Sequence, residues 1–444
     1  MDPLLTDLYE FTMAAALLAE GKAEEPATFS LFVRNPPPSR GYLVAAGLHE
    51  AVQFLREWRF DDEAVDRLQR TARLDPAFLD WLRALRFTGR VRAVPEGRMV
   101  FANEPLIEVD APFGEAQLLE TALLFLFTFP TAVATKAARC REAAGGRTLV
   151  DFGLRRAHGG AAGLAAARGA AITGFAATSN VAAAARYGIP ASGTMAHSFL
   201  TAVACNDPAG ELDAFRAFTS HYRGDPVLLV DTWDTAGGID HAIVVAKELA
   251  AAGRRLAGIR LDSGDVVALA RLARERLDAA GLPDVAIFAS GGLDEFEIAR
   301  LLGAGAPIDG FGVGTNFATS ADAPTLETVY KLVAVDGRPM AKRSTGKATL
   351  PGAKQVWRRP GFGGDVLALA DEPSPAPGAE PLLEEVDLAA EPGEREALAA
   401  ARDRFEADWS VLPKEYRDLT SPARYEVEMS ARLMALAADS FAPG

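Results

Sequence analysis

A basic and an acidic side chain stand two residues apart in one apolar run of the sequence. Residues 258–265 read Gly-Ile-Arg-Leu-Asp-Ser-Gly-Asp, with Arg260 and Asp262 inside the run. Side chains two residues apart on a β-strand lie on the same face, so both groups are predicted to enter one site. Because an unpaired buried charge is costly, a functional role is favoured over packing for Arg260. Asp265 is explained equally well as a site residue or as the N-cap of the next helix.

An aromatic side chain and two arginines follow another apolar run. Residues 151–159 read Asp-Phe-Gly-Leu-Arg-Arg-Ala-His-Gly. A guanidinium can hold phosphate or carboxylate through two parallel hydrogen bonds, and two adjacent arginines at a strand end are hard to explain as packing. A phenylalanine at such a place is more often a core residue than a ligand platform. The segment therefore indicates an anion contact by its arginines and leaves the role of Phe152 open.

Glycine turns at two consecutive strand ends are candidate phosphate sites. They read Ala289-Ser-Gly-Gly292 and Gly310-Phe-Gly-Val-Gly-Thr315. Glycine lets backbone N–H groups approach a phosphate closely, and a following helix adds a favourable dipole. Each turn alone is weak evidence for a phosphate site, because a glycine turn is also an ordinary loop. Two such turns at consecutive strand ends are stronger evidence, because α/β barrels frequently bind phosphate at their last two strand ends.

One of the five histidines, His197, ends the run 191–197. A lone histidine at a strand end is more often structural or superficial than catalytic. No spacing of histidine and glutamate resembles a zinc site. The residues alone therefore assign no chemistry to His197.

These candidates fall at the ends of short β-rich runs that alternate with alanine-rich helical stretches. Strand starts lie about 20 to 35 residues apart, as is typical when each strand is followed by a covering helix. Seven or eight such units predict an irregular α/β barrel of parallel strands, with an open doubly wound sheet as the alternative. The runs span residues 148–152, 171–178, 191–197, 227–231, 257–262, 285–290, 310–314 and 329–335.

The barrel is predicted to occupy the middle of the chain, residues 116–340. Residues 1–115 mix helical and strand-like pieces and predict an α+β domain. Residues 341–444 form a C-terminal segment that is predicted to pack on that domain. Within it, the proline-rich acidic stretch 373–393 is interpreted as a linker or surface loop.

Composition limits the classes of partner. The 444 residues include 46 Lys and Arg against 60 Asp and Glu, a net charge of −14, which disfavours general binding to nucleic acid or anionic membranes. Two cysteines exclude a disulfide scaffold and a four-cysteine zinc site. The first residues lack the pattern of a signal peptide, and the apolar run 122–129 is too short to span a bilayer. A cytoplasmic location is therefore predicted.

Taken together, the motifs resemble those of nicotinate phosphoribosyltransferase, a family of type II phosphoribosyltransferases, over nearly the whole chain. Seven stretches match in the family's order. They are Leu4-Leu-Thr-Asp-Leu-Tyr-Glu-Phe-Thr-Met13, Phe152-Gly-Leu-Arg-Arg-Ala-His-Gly159, Thr178-Ser-Asn180, Gly193-Thr-Met-Ala-His-Ser-Phe199, Val230-Asp-Thr-Trp-Asp-Thr235, Ile259-Arg-Leu-Asp-Ser-Gly-Asp265 and Gly310-Phe-Gly-Val-Gly-Thr315.

The resemblance implies a reaction. The family transfers the 5-phosphoribosyl group of 5-phosphoribosyl 1-diphosphate (PRPP) to nicotinate, giving nicotinate mononucleotide and pyrophosphate, the first step of NAD salvage from nicotinate. ATP hydrolysis is coupled through a phosphorylated histidine, which the resemblance identifies as His197, so the activity is that of an ATP-hydrolysing ligase. Mg²⁺ and a homodimer with shared active sites are implied as well.

The resemblance also implies roles for individual residues. Arg260 and Thr194 are implied nicotinate contacts. Tyr9 is implied to cover the pyridine from the neighbouring subunit, with Phe152 on its opposite face. Arg155 is implied to hold phosphate, and Asp262 to bind the ribose hydroxyls or Mg²⁺. The implied 5-phosphate pocket consists of Ser290, Gly291, Gly312, Gly314 and Thr315.

Other functions stay open as alternatives. Nicotinamide phosphoribosyltransferase is the main one, but that relative carries an aspartate at the position of Ser179, where a carboxylate would repel nicotinate. Quinolinate phosphoribosyltransferase needs neither ATP nor a phosphorylated histidine. A non-catalytic barrel that only binds a ligand is disfavoured because the polar strand ends are intact. The acid substrate is therefore preferred, with Ser179 as a substrate-binding residue.

Overall fold

The computed structural model describes residues 1–342 and 349–441. Two compact units emerge from the contacts between residues: residues 1–135 together with the chain from 323 onward, and residues 136–322. The predicted domain boundaries at 115 and 340 stay predictions. Residues 343–348 and 442–444, which belong to the predicted C-terminal segment, lie outside the described residues.

Helices and strands alternate along most of the described chain. The α-helices are α1 (Leu8–Ala19), α2 (Leu48–Glu57), α3 (Asp62–Thr71), α4 (Pro76–Ala84), α5 (Phe113–Leu118), α6 (Glu120–Ala144), α7 (Gly160–Ile172), α8 (Val181–Tyr187), α9 (His197–Val203), α10 (Glu211–His221), α11 (Thr235–Ala251), α12 (Val266–Ala279), α13 (Glu295–Gly303), α14 (Thr315–Ala318), α15 (Glu394–Val411), α16 (Lys414–Arg417) and α17 (Ala431–Phe441). The strands are β1 (Pro26–Val33), β2 (Leu43–Val44), β3 (Arg90–Ala93), β4 (Met99–Val100), β5 (Pro105–Pro112), β6 (Thr148–Asp151), β7 (Ala177–Thr178), β8 (Val227–Leu229), β9 (Gly258–Leu261), β10 (Ala286–Ala289), β11 (Gly310–Val313), β12 (Thr328–Val335), β13 (Arg338–Pro339), β14 (Lys354–Arg358), β15 (Asp365–Leu369), β16 (Glu380–Pro381), β17 (Glu384–Glu385) and β18 (Val427–Met429).

The unit of residues 136–322 is built on one parallel sheet. Its strand order is β7-β6-β11-β10-β9-β8, and every neighbouring pair is parallel. The sheet is curled into a half-barrel, so the predicted α/β barrel class is confirmed. Because the strands run in one direction, their carboxyl ends meet at a single edge, where active sites of such folds lie.

Short polar side chains begin the helices on this edge. Asn180, Asp234, Asp265 and Asp294 each accept a backbone N–H of the first turn of α8, α11, α12 and α13. Such N-caps satisfy donors that have no partner inside the helix. Of the two explanations for Asp265, the structure supports the N-cap.

Three of the predicted parallel strands differ in the structure. The first half of the run 171–178 belongs to the end of α7 and a turn at Gly174, whose φ is +91°, and only β7 remains as strand. The run 191–197 contributes a single parallel bridge, from Ala191 to Thr178, and then enters α9. The run 329–335 lies in β12. This strand belongs to the other unit, as does β1, with which it pairs antiparallel. The described residues therefore contain six parallel strands rather than seven or eight.

The other unit is mainly antiparallel. One six-stranded sheet has the order β13-β12-β1-β5-β3-β17, and a four-stranded sheet has the order β16-β14-β15-β18. Its core includes the rings of Phe29 and Tyr330, stacked with centroids 4.7 Å apart. The proline-rich stretch 373–393 is not a free linker, because β16 and β17 lie within it and Leu382 and Leu383 are buried.

Among the described helices, α6 alone is long and apolar enough to cross a membrane by length and composition. In its most apolar 18-residue window, 67% of the residues are buried inside the protein. Its Lys136 and Arg139 are also buried, each in an ion pair. This burial is typical of a core helix.

Candidate active site

The carboxyl edge of β9 carries the central charged residues. Arg260 lies in β9, and Asp262 follows the strand directly. The Ser290 hydroxyl, at the end of neighbouring β10, donates to Oδ1 of Asp262. His197 lies on the other side of the same carboxylate, with its Nε2 4.0 Å from Oδ2 of Asp262. His197 and Ser290, which are far apart in sequence, therefore meet at Asp262.

Asp231, which the sequence reasoning did not single out, holds this arrangement in place. Its Oδ2 accepts the backbone N–H of Asp262 at 2.9 Å and the Ser263 hydroxyl at 2.7 Å. Its Oδ1 is buried and has no hydrogen-bond partner within the described residues. The available signal was its place just after a strand, in a stretch that matches the family motif.

His197 has a polar neighbour at each ring nitrogen, in hydrogen-bond distance at Nδ1 and farther away at Nε2. Its Nδ1 lies 3.1 Å from Oγ1 of Thr232, a second residue that the sequence reasoning did not assign. Its Nε2 faces Asp262, and about 43% of the side chain is exposed. His197 is therefore oriented and accessible, as a residue that accepts a transferred group must be.

The Arg260 guanidinium lies over the ring of Phe152. The guanidinium carbon lies 5.8 Å from the centre of the Phe152 ring. Nη2 donates to the carbonyl of Met195 at 3.0 Å, and Nε is buried without a partner in the part of the chain that is described. Burial lowers the pKa of Arg260, and the carboxylates of Asp262 and Asp231 partly offset the effect. The charge is therefore poorly hydrated and has a donor to spare.

Gly312 makes room for the aromatic ring. A Cβ on Gly312 would lie 2.3 Å from Cε2 of Phe152, closer than real side chains come. Gly312 was predicted to line a phosphate pocket, and that role stays a prediction. Its observed contact is with Phe152, whose ring also lies near Arg260; a role of that ring in binding a ligand stays a prediction.

The two glycine turns lie next to each other. Gly291 has φ +88°, and a Cβ there would lie 2.2 Å from the carbonyl oxygen of Asp262, so only glycine fits. The Asn316 side chain, in α14, donates to the carbonyl of Gly292 at 2.9 Å and joins the turns. Gly314 precedes α14 and Thr315 begins it, with Thr315 exposed. Asn316 was missed because its partner lies on another strand's turn.

For three other predicted site residues, the observed hydrogen bonds and charge effects do not include a side-chain hydrogen bond to His197 or Asp262. Arg155 is exposed in a 3₁₀ turn, and its charge affects Arg260 only through space. Ser179 is half-buried, and its backbone N–H donates to the carbonyl of Asp151 at 2.8 Å. The Thr194 hydroxyl donates to the carbonyl of Val227 at 2.6 Å, so it can offer a ligand only its lone pairs.

Tyr9 lies on α1 in the other compact unit, and about 46% of its side chain is exposed. Four other hydrophobic side chains among the first thirteen residues are exposed too, whereas Phe11 is buried. They are Met1, Leu5, Leu8 and Met13. A contact of Tyr9 with a second subunit stays a prediction, as do the roles of the other site residues.

The described residues contain no group of three or more His, Cys, Asp or Glu that could hold a metal by itself. Two aspartates are neighbours here, because the backbone N–H of Asp262 donates to Oδ2 of Asp231, and Oδ1 of Asp231 is a buried oxygen without a partner among the described residues. Mg²⁺ is commonly bound by one or two carboxylates together with water and substrate phosphates. The donor set therefore fits a Mg²⁺ ion that arrives with a phosphate-bearing substrate.

Comparison with known proteins agrees with the motifs and the fold. Family models match residues 4–128, as the nicotinate phosphoribosyltransferase N-terminal domain, and residues 148–355, as the nicotinate phosphoribosyltransferase family. A nicotinate phosphoribosyltransferase of Mycobacterium tuberculosis is 46% identical, with 97% of this chain and 92% of that protein covered.

Solved structures give the same result. The crystal structure of human nicotinic acid phosphoribosyltransferase superposes with a TM-score of 0.86 at 34% identity, covering 99% of this chain and 100% of the human one. The crystal structure of a nicotinate-nucleotide pyrophosphorylase from Pyrococcus furiosus superposes with a TM-score of 0.72 at 26% identity, covering 91% of this chain and 95% of that one. From its motifs, its half-barrel and these likenesses, the chain belongs to the nicotinate phosphoribosyltransferase family.

Proposed function

We propose that this chain transfers the 5-phosphoribosyl group of PRPP to nicotinate and releases nicotinate mononucleotide and pyrophosphate, the first step of NAD salvage from nicotinate. One observation carries the proposal. A partly desolvated arginine with a spare donor, Arg260, lies against the ring of Phe152 at the strand edge that also holds His197 and Asp262. A flat aromatic acid needs such a pair, because its ring stacks on the face while its carboxylate meets the cation.

The pyridine nitrogen attacks the anomeric carbon of the ribose. That nitrogen is already a nucleophile near neutral pH, so the reaction needs no general base. Catalysis then consists of positioning the two substrates and stabilising the departing pyrophosphate. The site offers positioning groups, Arg260 and Phe152 for the ring, rather than a catalytic acid–base pair.

The phosphates of PRPP are assigned to the glycine turns and to Arg155. Backbone N–H groups at Gly291, Gly314 and Thr315 are the proposed donors to the 5-phosphate, since glycine allows close approach. Asp262 and Asp231 are the proposed ligands of Mg²⁺, on the strength of the unpartnered Oδ1 of Asp231. A Mg²⁺ ion held there would supply neutralisation of the charge on the pyrophosphate group.

ATP coupling is assigned to His197. The γ-phosphoryl group of ATP is transferred to a ring nitrogen of the histidine and ADP leaves, while Asp262 stabilises the positive charge of the ring during that transfer. The distance of 4.0 Å between Nε2 and Asp262 supports this role. Thr232 orients the ring through its contact with Nδ1.

The chain is proposed to act as a cytoplasmic homodimer in which Tyr9 covers the nicotinate bound by the partner subunit. The exposed apolar side chains on the first thirteen residues support a subunit contact there, because large exposed apolar patches commonly mark interfaces. Ser179 is proposed to face the substituent of the pyridine ring and to admit its carboxylate.

Product analysis tests the function. Purified protein is incubated with PRPP and either nicotinate or nicotinamide, with and without ATP and Mg²⁺, and the nucleotides and pyrophosphate are separated and quantified. We expect nicotinate mononucleotide and an equal amount of pyrophosphate, with a higher yield when ATP is present.

A His197→Asn variant is the control for ATP coupling, and it should lose the response to ATP. Preferential formation of nicotinamide mononucleotide would instead assign the chain to the amide-using relative. Neither product, from folded protein, would contradict the proposal.

A further inference from the structure

Four charged side chains form a buried network in the unit of residues 136–322. Lys136 Nζ lies 2.5 Å from Oε2 of Glu295 and 2.8 Å from Oδ1 of Asp322. Arg139 Nε lies 2.8 Å from Oε1 of Glu295. Lys136, Arg139 and Glu295 are almost completely buried, and two positive charges face two negative ones. Hereafter these four residues are called the Lys136 network.

The network touches the chain just behind both glycine turns. Glu295 is the first residue of α13, five residues after Ser290, and begins the helix that follows the turn of Ser290 and Gly291. Asp322 comes soon after α14, the short helix that begins at Thr315. Lys136 therefore binds one carboxylate in the chain that follows each turn, Glu295 after the first and Asp322 after the second.

A second link joins the same two turns. Asn316 donates to the carbonyl of Gly292 at 2.9 Å. The Phe296 ring, next to Glu295, lies 5.7 Å from Lys136 Nζ and 5.6 Å from the Arg139 guanidinium carbon, within the range of a cation–π contact. The turns are therefore held by a hydrogen bond between them and by an ion network behind them.

We infer that Lys136 is a positioning residue for the phosphate-binding turns, setting the separation between the Ser290–Gly291 turn and the Gly314–Thr315 turn so that both can donate to one phosphate. The inference rests on the proposed function, which assigns the 5-phosphate of PRPP to these turns. Lys136 does not touch the substrate in this account. It acts through Glu295 and Asp322.

The physical reason is that a buried charge has few alternative arrangements. Removing one member of a buried ion network leaves an uncompensated charge, and the chain shifts to hydrate it. Here the chain that would shift carries the two turns. Phosphate binding by backbone N–H groups depends on their mutual geometry, and misplacement of about 1 Å can cost up to about 100-fold.

The test separates the phosphate end of PRPP from its diphosphate end. Ribose 5-phosphate and pyrophosphate are used as inhibitors competing with PRPP, on wild type and on Lys136→Met. We expect the inhibition constant of ribose 5-phosphate and the KM of PRPP to rise about tenfold or more, equivalent to about 1.4 kcal/mol. The inhibition constant of pyrophosphate and the KM of nicotinate should change little.

Lys354→Met is the matched control. Lys354 is another buried lysine, paired with Glu108 at 3.5 Å, in the other compact unit. Both variants lose a buried cation, so both should have a lower thermal midpoint. Only Lys136→Met should change ribose 5-phosphate inhibition, a split that a purely structural role would not produce.

Asp322→Asn provides a second variant if Lys136→Met does not fold. Asp322 is partly exposed, so its loss is better tolerated, and a rise of about threefold in the ribose 5-phosphate constant is expected from one weakened contact. Unchanged ribose 5-phosphate inhibition in a folded variant, with wild type using PRPP normally, would overturn the inference and leave the function intact. Failure of wild type to use PRPP would overturn the proposed function itself.

Discussion

Replacing Arg260 by alanine is the sharpest test of the nicotinate site. Removing one partner of a desolvated charge pair costs about 2–5 kcal/mol, which is about 30-fold to several thousand-fold in kcat/KM at about 1.4 kcal/mol per factor of ten. Arg260 is partly exposed, and its Nη2 already donates to Met195. Part of its bonding capacity is thus committed to the protein, so the lower end of the range is expected, about 30- to 100-fold.

The assay is steady-state kinetics with nicotinate as the varied substrate at saturating PRPP and ATP. The loss should appear mainly in kcat/KM for nicotinate, while the KM of PRPP changes little, because the phosphate turns are not altered. Arg254→Ala is the matched control. Arg254 precedes β9, the strand that carries Arg260, and also donates to backbone carbonyls, those of Thr219 and Tyr222 at 2.7 Å each.

Two outcomes would refute the reasoning. Wild-type efficiency in Arg260→Ala would mean that the guanidinium does not meet the carboxylate. An equal loss in Arg254→Ala and Arg260→Ala, at equal thermal midpoints, would mean that the effect comes from the β9 region in general and not from the pairing with Phe152.

Three further predictions concern specificity, assembly and pH. Ser179→Asp should lower the ratio of kcat/KM for nicotinate over nicotinamide by about tenfold or more, because two charges about 4 Å apart repel by about 4 kcal/mol at an effective dielectric near 20 and a third of that suffices; an unchanged ratio in a variant that binds PRPP would count against it. Mixing His197→Ala protein, which lacks the response to ATP, with Tyr9→Ala protein should restore ATP-stimulated activity through heterodimers with one complete site, and no recovery after confirmed subunit exchange would exclude a shared site. Burial raises the pKa of Glu10 from 4.5 to about 7, although Gln117 donates to its carboxylate at 2.7 Å. The unfolded chain therefore releases this proton first as pH rises, and the free energy of unfolding should fall between pH 4.5 and 7 by at most about 3 kcal/mol. Chemical denaturation across that range should find a smaller fall in Glu10→Gln, and an equal slope in both proteins would refute the assignment.

Features that depend on neighbouring residues were predictable from the sequence. Arg260 and Asp262 belong to one strand and its end, because side-chain alternation is a local property of a strand. The glycine turns were predictable for the same reason, since the positive φ of Gly291 is required by its own turn. The class of fold followed from the regular alternation of strand and helix patterns.

The strands predicted from apolar runs of the sequence were wrong where preferences for helix and strand compete. Residues 171–174 complete α7 and its terminal turn instead of forming a strand, because the alanines that make up much of α7 have the strongest intrinsic preference for helix. The run 329–335 has the composition of a strand, and it is one, but composition does not tell which sheet a strand joins. Its pairing with β1 depends on a partner about three hundred residues earlier.

The amino-acid sequence by itself determined the residue types at the strand ends, the turns that require glycine and, through its motifs, the family. Tertiary structure alone decided which of those ends meet. Asp262 and Ser290 are 28 residues apart and share a hydrogen bond, while Arg139 and Glu295 form an ion pair across 156 residues. Such contacts depend on the order of the strands in the sheet and on the desolvation of charges in the folded interior. Neither is determined by a local stretch of the chain.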